Sequence, residues 1–558
     1  MKYLFFILIV VLILVIWSIV NDYNQRKRLK IQLKEEWGEV SNEEYSSEKL
    51  EYLRAYYTSV QDECLDVDDI TWNDLDMDEL YMQINNTQSA IGEEYRYALL
   101  KKPCFSGEEL EERNRLMHFF DREEEKRSSL QTELYQIGKL KNISVYEYIN
   151  RLDSQEAKSN LSHYLMILAL IVSAALIFVN PGVGGFCIVA VLINNIYQYY
   201  SYKGKIDKYL TVFSFILRLL KSARQIVALD IPEIKSYTDR INEDLKLFDK
   251  FRKGSFILVS GNVGGSLADA MLDYVRMMFH FDLIKYNSML SFIKKNRKTL
   301  NRLFENIGYL DSMAAAASFR RQLDYYCEPV LTAGGKPNLS VTDLYHPLLE
   351  APIPNSISER RSVLITGSNA SGKSTFIKTL AINAILSQTV FTSISKSYKA
   401  SYFMIYSSMA LRDNILSKES YYIVEIKSLK RILDRINKDI PILCFIDEVL
   451  RGTNTLERIA ASSRILSSLG KSNALVFAAT HDIELTHIME EIYSNYHFQE
   501  RISDHEILFD YKLYQGKAVS KNAIKLLNLL GYSEDIIQNA ERAAEDFLAN
   551  GEWSKIKN

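Results

Sequence analysis

Residues 367–375 read Gly-Ser-Asn-Ala-Ser-Gly-Lys-Ser-Thr and fit the pattern G-x-x-x-x-G-K-[ST]. The apolar run 362–366 precedes this stretch, and the helix-compatible run 376–381 follows it. A strand, a glycine loop and a helix in this order form a phosphate-binding loop, where backbone N–H groups and the helix N-terminus converge on phosphates. The alternative is a chance loop rich in glycine and serine, and the flanking strand argues against it. The predicted nucleotide-binding residues are Gly367, Ser368, Asn369, Ala370, Ser371, Gly372, Lys373, Ser374 and Thr375.

Four residues of this loop have separate predicted roles. Gly367 and Gly372 allow the backbone angles that turn successive N–H groups toward one point. Lys373 supplies a full positive charge to the β- and γ-phosphates, and the Ser374 hydroxyl is a ligand for Mg²⁺. The loop therefore predicts a site for ATP with Mg²⁺.

A second motif follows about 75 residues later. The apolar run 441–446 reads Pro-Ile-Leu-Cys-Phe-Ile and ends in Asp447 and Glu448. A buried strand of this kind delivers its last residues to the sheet edge where the phosphate loop lies. This is a Walker B arrangement, in which Asp447 holds Mg²⁺, directly or through water, and Glu448 polarises the attacking water as general base.

Two further side chains are candidates for the same site. The strand-like run 475–479 is followed by Thr480 and His481, and a histidine at this sheet edge can sense or orient the hydrolytic water. Ser420 lies at the start of a predicted helix that also contains Glu425. A serine in this position either caps the helix or presents its hydroxyl to a phosphate, including one bound by a partner subunit.

Composition limits the class of protein. A chain of 558 residues is too long for one ordinary domain, and its 22 glycines and 9 prolines are few, which favours long helices. The net charge of −3 gives no global basic field for nucleic acid, so any DNA contact needs a local surface. The five cysteines show no C-x-x-C spacing, which argues against a zinc site and fits a reducing compartment.

Three apolar runs predict membrane segments. Residues 3–20 carry no charged side chain and reach the length of a membrane span, while a cleaved signal peptide is the rival interpretation. Residues 161–179 and 186–200 flank a glycine-rich turn and predict a membrane hairpin, while a buried helical hairpin is the alternative. Lysines and arginines after residue 20 and on both sides of the hairpin place these ends in the cytoplasm.

The pattern along the chain predicts a fold of the α plus α/β class, with a long-helix core and lever region followed by a P-loop α/β domain. The predicted segments are a transmembrane anchor at 1–22, a helical stalk at 23–64, a first helical core and lever part at 65–160, a transmembrane hairpin at 161–203, a second helical part at 204–335, and an ATPase domain with C-terminal helices at 336–558.

Several motifs together resemble the MutS family. Residues 366–375 resemble its T-G-P-N-x-x-G-K-S-T loop, and residues 447–455 resemble D-E-x-G-R-G-T-x-T. Residues 480–485 match T-H-x-x-E-L, and residues 346–349 match the H-P-L-L that leads into the loop. The resemblance covers about 65–558 and is strongest over 340–545.

This resemblance implies an ABC-type ATPase that forms a homodimer, in which Ser420 faces the γ-phosphate of the other subunit. It also implies helical levers that link the nucleotide state to bound DNA. The mismatch-reading domain of the family has no counterpart, and a membrane anchor stands in its place, which argues against mismatch reading. Leu450 replaces a glycine and Ser368 replaces a proline of the family motifs.

The expected function is a membrane-anchored MutS-like ATP hydrolase of the plasma or inner membrane, multi-pass, with a cytoplasmic ATPase domain, coupled to DNA. The alternative is a nucleotide-gated membrane scaffold for a protein partner, without DNA binding. A transport ATPase is disfavoured because the L-S-G-G-Q signature is not found.

Overall fold

The computed structural model describes residues 2–41, 43–140, 143–152, 159–249, 277–368, 371–409, 421–437, 439–451, 453–502, 507–518, 524, 527, 531–553 and 555. Within helices, the side chains of residues 2–15, 18, 19, 205–211, 421 and 548 lie outside the described part. The chain divides into two compact units. Unit 1 contains Met1–Gln61, Tyr81–Leu100 and Glu111–Gln322, and unit 2 contains Asp62–Leu80, Lys101–Leu110 and Leu323–Asn558.

Helices dominate the chain before residue 323. In chain order they are α1 Lys2–Glu35, α2 Ser47–Val60, α3 Asp69–Asp74, α4 Met77–Ile84, α5 Ala90–Lys101, α6 Gly107–Arg122, α7 Glu124–Ile137, α8 Val145–Arg151, α9 Leu161–Leu176, α10 Pro181–Ala228, α11 Lys235–Leu247, α12 Phe281–Lys295 and α13 Arg297–Gln322. The α13 helix is buried along most of its length and forms the centre of unit 1. Asp311 on α13 accepts hydrogen bonds from the N–H groups of Gln88 and Ser89, both 2.9 Å long, and so fixes the segment that leads into α5.

Strands and helices alternate after residue 323, as the sequence predicts for an α/β region. The strands are β1 Val330–Thr332, β2 Leu339–Leu344, β3 Asn355–Glu359, β4 Ser362–Thr366, β5 Ser397–Ser401, β6 Met404–Ser408, β7 Ile442–Asp447, β8 Ala474–Ala479, β9 Tyr493–Ile502 and β10 Ile507–Gln515. The helices are α14 Lys373–Thr389, α15 Tyr421–Asp434, α16 Thr455–Gly470, α17 Ile483–Ile488 and α18 Glu534–Asn550.

Two sheets form in unit 2. The larger has the order β10-β9-β4-β8-β7-β6, in which every neighbouring pair is parallel except β10 and β9. The smaller has the order β1-β5-β2-β3. All residues of β4, β7 and β8 are buried, as expected for central strands of a parallel sheet covered on both faces. The predicted α plus α/β fold class is therefore confirmed.

A short segment far away in sequence completes unit 2. The α3 helix packs on the outer strand β6, where Asp74 accepts a 2.6 Å hydrogen bond from the Ser407 hydroxyl and a 3.0 Å bond from the N–H of Met409. The Thr71 hydroxyl accepts a 3.0 Å bond from the N–H of Ser407. These contacts occupy backbone donors on an edge strand that would otherwise be open to pairing with another chain.

Membrane segments receive limited support from the helices. Within the described part of the chain, one helical segment, Pro181–Gly204, is long and apolar enough to cross a membrane, and Leu161–Leu176 is apolar but shorter. Helix length and composition therefore do not support several membrane-spanning helices. For the predicted anchor at residues 3–20, the side chains of residues 3–15, 18 and 19 lie outside the described part.

Candidate functional site

The phosphate loop lies between β4 and α14, and Lys373 is the first residue of that helix. Gly367 and Gly372 have φ angles of +149° and +104°, which favour glycine. A Cβ on Gly367 would lie 2.8 Å from the Ser371 hydroxyl and 2.9 Å from the Phe498 carbonyl oxygen, so no side chain fits there. Asn369 and Ala370 lie outside the described residues.

The Lys373 side chain is folded back onto the loop. Its Nζ donates hydrogen bonds to the carbonyl oxygens of Gly367, at 2.8 Å, and Ser368, at 2.7 Å. Burial lowers the pKa of Lys373, and the charges of Asp447 and Glu448 oppose that effect. Both carboxylates therefore lie close enough to act electrostatically on the lysine, as the predicted site requires.

Two serine hydroxyls hold the loop. The Ser371 hydroxyl donates to the carbonyl oxygen of Ser368 at 2.8 Å, and the Ser368 hydroxyl donates to the Glu500 carboxylate on β9 at 2.8 Å. The family motif has proline at position 368, and proline has no hydroxyl to make this second contact. The replacement thus adds a side-chain contact between the loop and the sheet.

Strand register brings the predicted acids to the loop. Ala479 at the end of β8 pairs with Ile365 of β4 on one side and with Asp447 of β7 on the other. The N–H of Thr480 donates to the Ile365 carbonyl oxygen at 3.0 Å, which carries the same alignment one residue further. Asp447 is 8% exposed, and its buried Oδ1 accepts no hydrogen bond from any described residue. A buried carboxylate oxygen of this kind fits a cation ligand.

Glu448 is held by two basic side chains. His481 Nε2 lies 2.9 Å from its Oε1, and Arg451 forms an ion pair with its Oε2. Burial would raise the pKa of Glu448, but the hydrogen bond with His481 and the charge of Arg451 outweigh burial and hold the pKa below its ordinary value of 4.5. The structure therefore brings together Glu448 and His481, and the carboxylate is ionised at neutral pH.

The loop after β7 has a strained backbone. Glu448 and Leu450 have φ angles of +57° and +61°, in the left-handed region that disfavours residues other than glycine. The Glu425 carboxylate on α15 accepts hydrogen bonds from the N–H groups of Leu450 and of Arg451, the latter at 3.1 Å. Burial raises the pKa of Glu425, although these two backbone donors lower it. Glu425 therefore fixes the loop that carries Glu448, a role that the sequence did not assign.

A cavity of about 460 Å³ opens beside the start of α14, and part of its wall is aromatic. Its lining includes Lys373, Ser374, Ile353, Phe498 and Tyr511. Sequence reasoning missed Phe498 and Tyr511 because an aromatic residue in a strand normally indicates only packing. The sequence signal that could have pointed to Tyr511 is the Pro354-Asn355 pair before the loop, because the Asn355 side chain bonds the Tyr511 backbone.

Asn355 holds the strand that carries Tyr511. Its side-chain amide donates to the Tyr511 carbonyl oxygen at 2.9 Å, and its Oδ1 accepts from the N–H of Leu513 at 2.8 Å. His346 also lines the cavity, and burial together with the charge of Lys378 lowers its pKa to about 4. The imidazole is therefore neutral at physiological pH and adds no charge to the cavity wall.

Ser420 lies outside the described residues, and α15 begins at Tyr421. The predicted role of Ser420 toward a partner subunit therefore stays a prediction. Asp447, Glu448, His481 and the described part of the phosphate loop lie together at one edge of the larger sheet.

Comparison with known proteins finds relatives for the part of the chain that contains this site. Residues 363–548 match the family described as MutS domain V. Similar proteins include the DNA mismatch repair protein MutS of Thermotoga petrophila, 26% identical over 268 residues that cover 46% of this chain and 33% of that protein. The protein of the same name from Leptospira interrogans is 29% identical over 290 residues, covering 49% of this chain and 33% of its own length.

The MutS protein of Methanosarcina mazei is 28% identical over 263 residues, which cover 44% of this chain and 29% of that protein. The chain thus matches about a third of the length of these curated relatives. The resemblance read from the loop, the Walker B segment and the T-H-x-x-E-L segment is confirmed. Residues 363–548 of the chain match MutS domain V, the family that the motifs resemble.

Proposed function

We propose that the protein is an ATP hydrolase whose site lies at the β4, β7 and β8 edge of the larger sheet in unit 2. The observation that supports this most directly is geometric: strand register and the 2.9 Å contact of His481 with Glu448 bring Asp447 and Glu448 to the sheet edge where the loop of Lys373 lies. A triphosphate would bind to the loop N–H groups. Lys373 Nζ would then donate to phosphate oxygens instead of to the carbonyl oxygens of Gly367 and Ser368. The adenosine part would occupy the aromatic cavity that contains Tyr511.

Mg²⁺ fits the same site. Asp447 Oδ1 is a buried oxygen without a donor among the described residues, and the Ser374 hydroxyl lies in the first turn of α14. Mg²⁺ prefers carboxylate, hydroxyl and phosphate oxygens, which are the groups this arrangement offers. When bound there, Mg²⁺ would neutralise charge on the β- and γ-phosphates.

Water activation falls to Glu448 in this proposal. Its carboxylate is ionised, and His481 fixes one of its oxygens at 2.9 Å. The other oxygen is paired with Arg451, which is 38% exposed and so has room to move away. Release of that oxygen would leave Glu448 able to accept a proton from water, with His481 as its positioning partner.

We propose that the protein works as a dimer. The family resemblance implies this, with Ser420 completing the site of a second copy. Binding of DNA is proposed from the relatives, which are named DNA mismatch repair proteins. The net charge of −3 favours the second candidate, a nucleotide-gated scaffold for a protein partner that binds no DNA. We also propose attachment to the cell membrane, with residues 3–20 and the hairpin 161–203 in the bilayer and the ATPase unit in the cytoplasm.

The site is tested with Lys373→Ala and Glu448→Gln in the full-length protein. Lys373→Ala should abolish ATP binding and turnover, while Glu448→Gln should bind ATP normally and hydrolyse it roughly 10²–10⁴-fold more slowly. Lys396→Ala is the matched control, since this lysine of unit 2 is 63% exposed and pairs with Asp343. Unchanged turnover in Lys373→Ala would refute the assignment of the site.

DNA coupling is tested by fluorescence anisotropy with duplex DNA at several salt concentrations. Affinity that falls steeply with salt would support DNA binding, because each neutralised phosphate releases counterions. Absence of binding at low salt would favour the protein scaffold.

A further inference from the structure

The helical hairpin of unit 1, formed by α9 and the first half of α10, exposes apolar side chains along most of its surface. No Asp, Glu, Lys or Arg occurs between Lys158 and Lys203. The tip carries the most exposed apolar residues, Phe178 at 92% and Val179 at 82%. An exposed apolar surface of this extent marks an interaction site.

The two ends of the hairpin differ in polarity. At the base, His163 Nδ1 lies 3.0 Å from His280 Nδ1, the Asn195 amide donates to the Met278 carbonyl oxygen at 3.0 Å, and the hydroxyl of Tyr199 donates to Asp282 at 2.8 Å. Exposed tyrosines lie at the same end, and they are Tyr164, Tyr197 and Tyr200. Tyrosine and lysine side chains are enriched at the level of lipid headgroups, so this end fits a membrane surface.

The tip satisfies its own backbone donors. The N–H groups of Phe178, Val179 and Asn180 donate to carbonyl oxygens of α9 at 3.2, 3.1 and 2.8 Å. The N–H of Val183 donates to the Asn180 side chain at 3.2 Å, and that of Gly184 donates to the Asn180 carbonyl oxygen at 2.8 Å. Five backbone donors of the tip are thus bonded within the hairpin, which suits a turn in hydrocarbon, where no water is available.

Close packing of the two arms near the tip depends on one glycine. A Cβ on Gly184 would lie 2.5 Å from the backbone nitrogen of Ile177. Small residues at such a crossing are typical of helices that pack within lipid, where backbone approach replaces the hydrophobic effect as the source of contact.

The length of the arms decides how deep the hairpin reaches. Fourteen residues separate Tyr164 from Phe178 on one arm and Val183 from Tyr197 on the other. At about 1.5 Å per residue each arm extends roughly 21 Å beyond its tyrosine, while the hydrocarbon core is about 30 Å thick. The 24-residue segment Pro181–Gly204 exceeds that thickness, but it includes the tyrosine-rich base and is paired with a shorter arm.

We propose that the hairpin enters a lipid bilayer from one face and ends inside the hydrocarbon, so that its tip does not emerge on the other side. Two sets of side chains support this depth: tyrosines at headgroup level and an apolar tip that lacks Lys, Arg, Tyr and Trp. The proposal rests on the membrane attachment proposed above and replaces a crossing hairpin by a re-entrant one.

The test uses the full-length protein in vesicles of phosphatidylcholine and phosphatidylglycerol, with Cys64, Cys187 and Cys327 changed to serine. A spin label is placed at Phe178→Cys in the tip, at Tyr164→Cys in the base, or at Thr58→Cys as the water-exposed control. Two reagents report the depth of each label. Oxygen concentrates in hydrocarbon, and a nickel chelate stays in water, where it is either added outside the vesicles or trapped inside them.

The re-entrant hairpin predicts that the label at position 178 is accessible to oxygen and protected from the chelate on both sides, while the label at 58 shows the opposite. Access of the chelate to position 178 from the side opposite to position 58 would mean a crossing hairpin and overturn the proposal. Protection from both reagents, with broadening between two labels, would mean that a second copy covers the tip, which also overturns it. Sedimentation with vesicles and ATP turnover, measured on the same samples, show separately whether membrane attachment or the ATPase assignment has failed.

Discussion

Leu450 offers a sharp test of the strained loop after β7. It has a φ angle of +61°, at a position where the family motif has glycine, yet its side chain is 1% exposed and belongs to the apolar cluster of unit 2. Substitution by glycine would therefore remove backbone strain and buried side-chain contacts together. The two effects have opposite signs, so their magnitudes decide the result.

The loss of the side chain is the larger effect. Removing a buried leucine side chain costs about 2–5 kcal/mol of unfolding free energy, as in Leu450→Ala, which keeps a Cβ in the left-handed region. Leu450→Gly loses the same contacts but relieves roughly 1–2 kcal/mol of strain. We expect both variants to be less stable than the natural protein and the glycine variant to be about 1 kcal/mol more stable than the alanine variant.

Thiol labelling of Cys444 measures this difference within unit 2. Cys444 is fully buried on β7, and burial raises its pKa to about 12, so it reacts only when the strand opens. Labelling rates, read by mass spectrometry of the peptide, give the free energy of opening.

Leu466 is the matched control for the backbone effect. It is buried in the same cluster but lies within α16, where glycine is about 1 kcal/mol less stable than alanine. The glycine-to-alanine difference should therefore change sign between positions 450 and 466. Equal signs at the two positions would refute the left-handed backbone as the source of strain.

Three other substitutions test the nucleotide site. Tyr511→Ala should weaken binding of adenine nucleotide roughly 5- to 150-fold in a titration, as expected for the loss of about 1–3 kcal/mol of base stacking, while Tyr511→Phe should bind normally. Glu425→Gln should lower kcat about tenfold at unchanged nucleotide affinity, because one backbone donor at Leu450 or its neighbour loses its acceptor. His481→Ala should move the acid limb of the kcat profile to higher pH, because the hydrogen bond with His481 lowers the pKa of Glu448 and its loss raises that pKa. An unmoved limb would mean that another group titrates.

The sequence predicted that three motifs meet at one edge of a parallel sheet. The phosphate loop, the Walker B segment about 75 residues later and the His481 segment about 30 residues after that were assigned to one sheet edge, because parallel strands end at the same edge. The pairing of Ala479 with both Ile365 and Asp447 has this geometry. The roles of Glu425 and Tyr511 could not be predicted, since each depends on contacts with a loop or strand distant in sequence. Membrane segments were predicted from apolar length, and among the described residues one helical segment, Pro181–Gly204, meets that criterion.

The order and the local chemistry of the phosphate loop, the Walker B acids and the apolar runs were set by the sequence itself, because glycine conformations, strand patterns and charge-free lengths are local properties. Tertiary structure alone decided that residues 62–80 and 101–110 join unit 2, with α3 on the edge strand β6. It also decided that Glu425 bonds the strained loop that carries Glu448. Such pairings form between segments that are distant along the chain, and their stability comes from burial and hydrogen bonds that exist only when the whole unit is assembled.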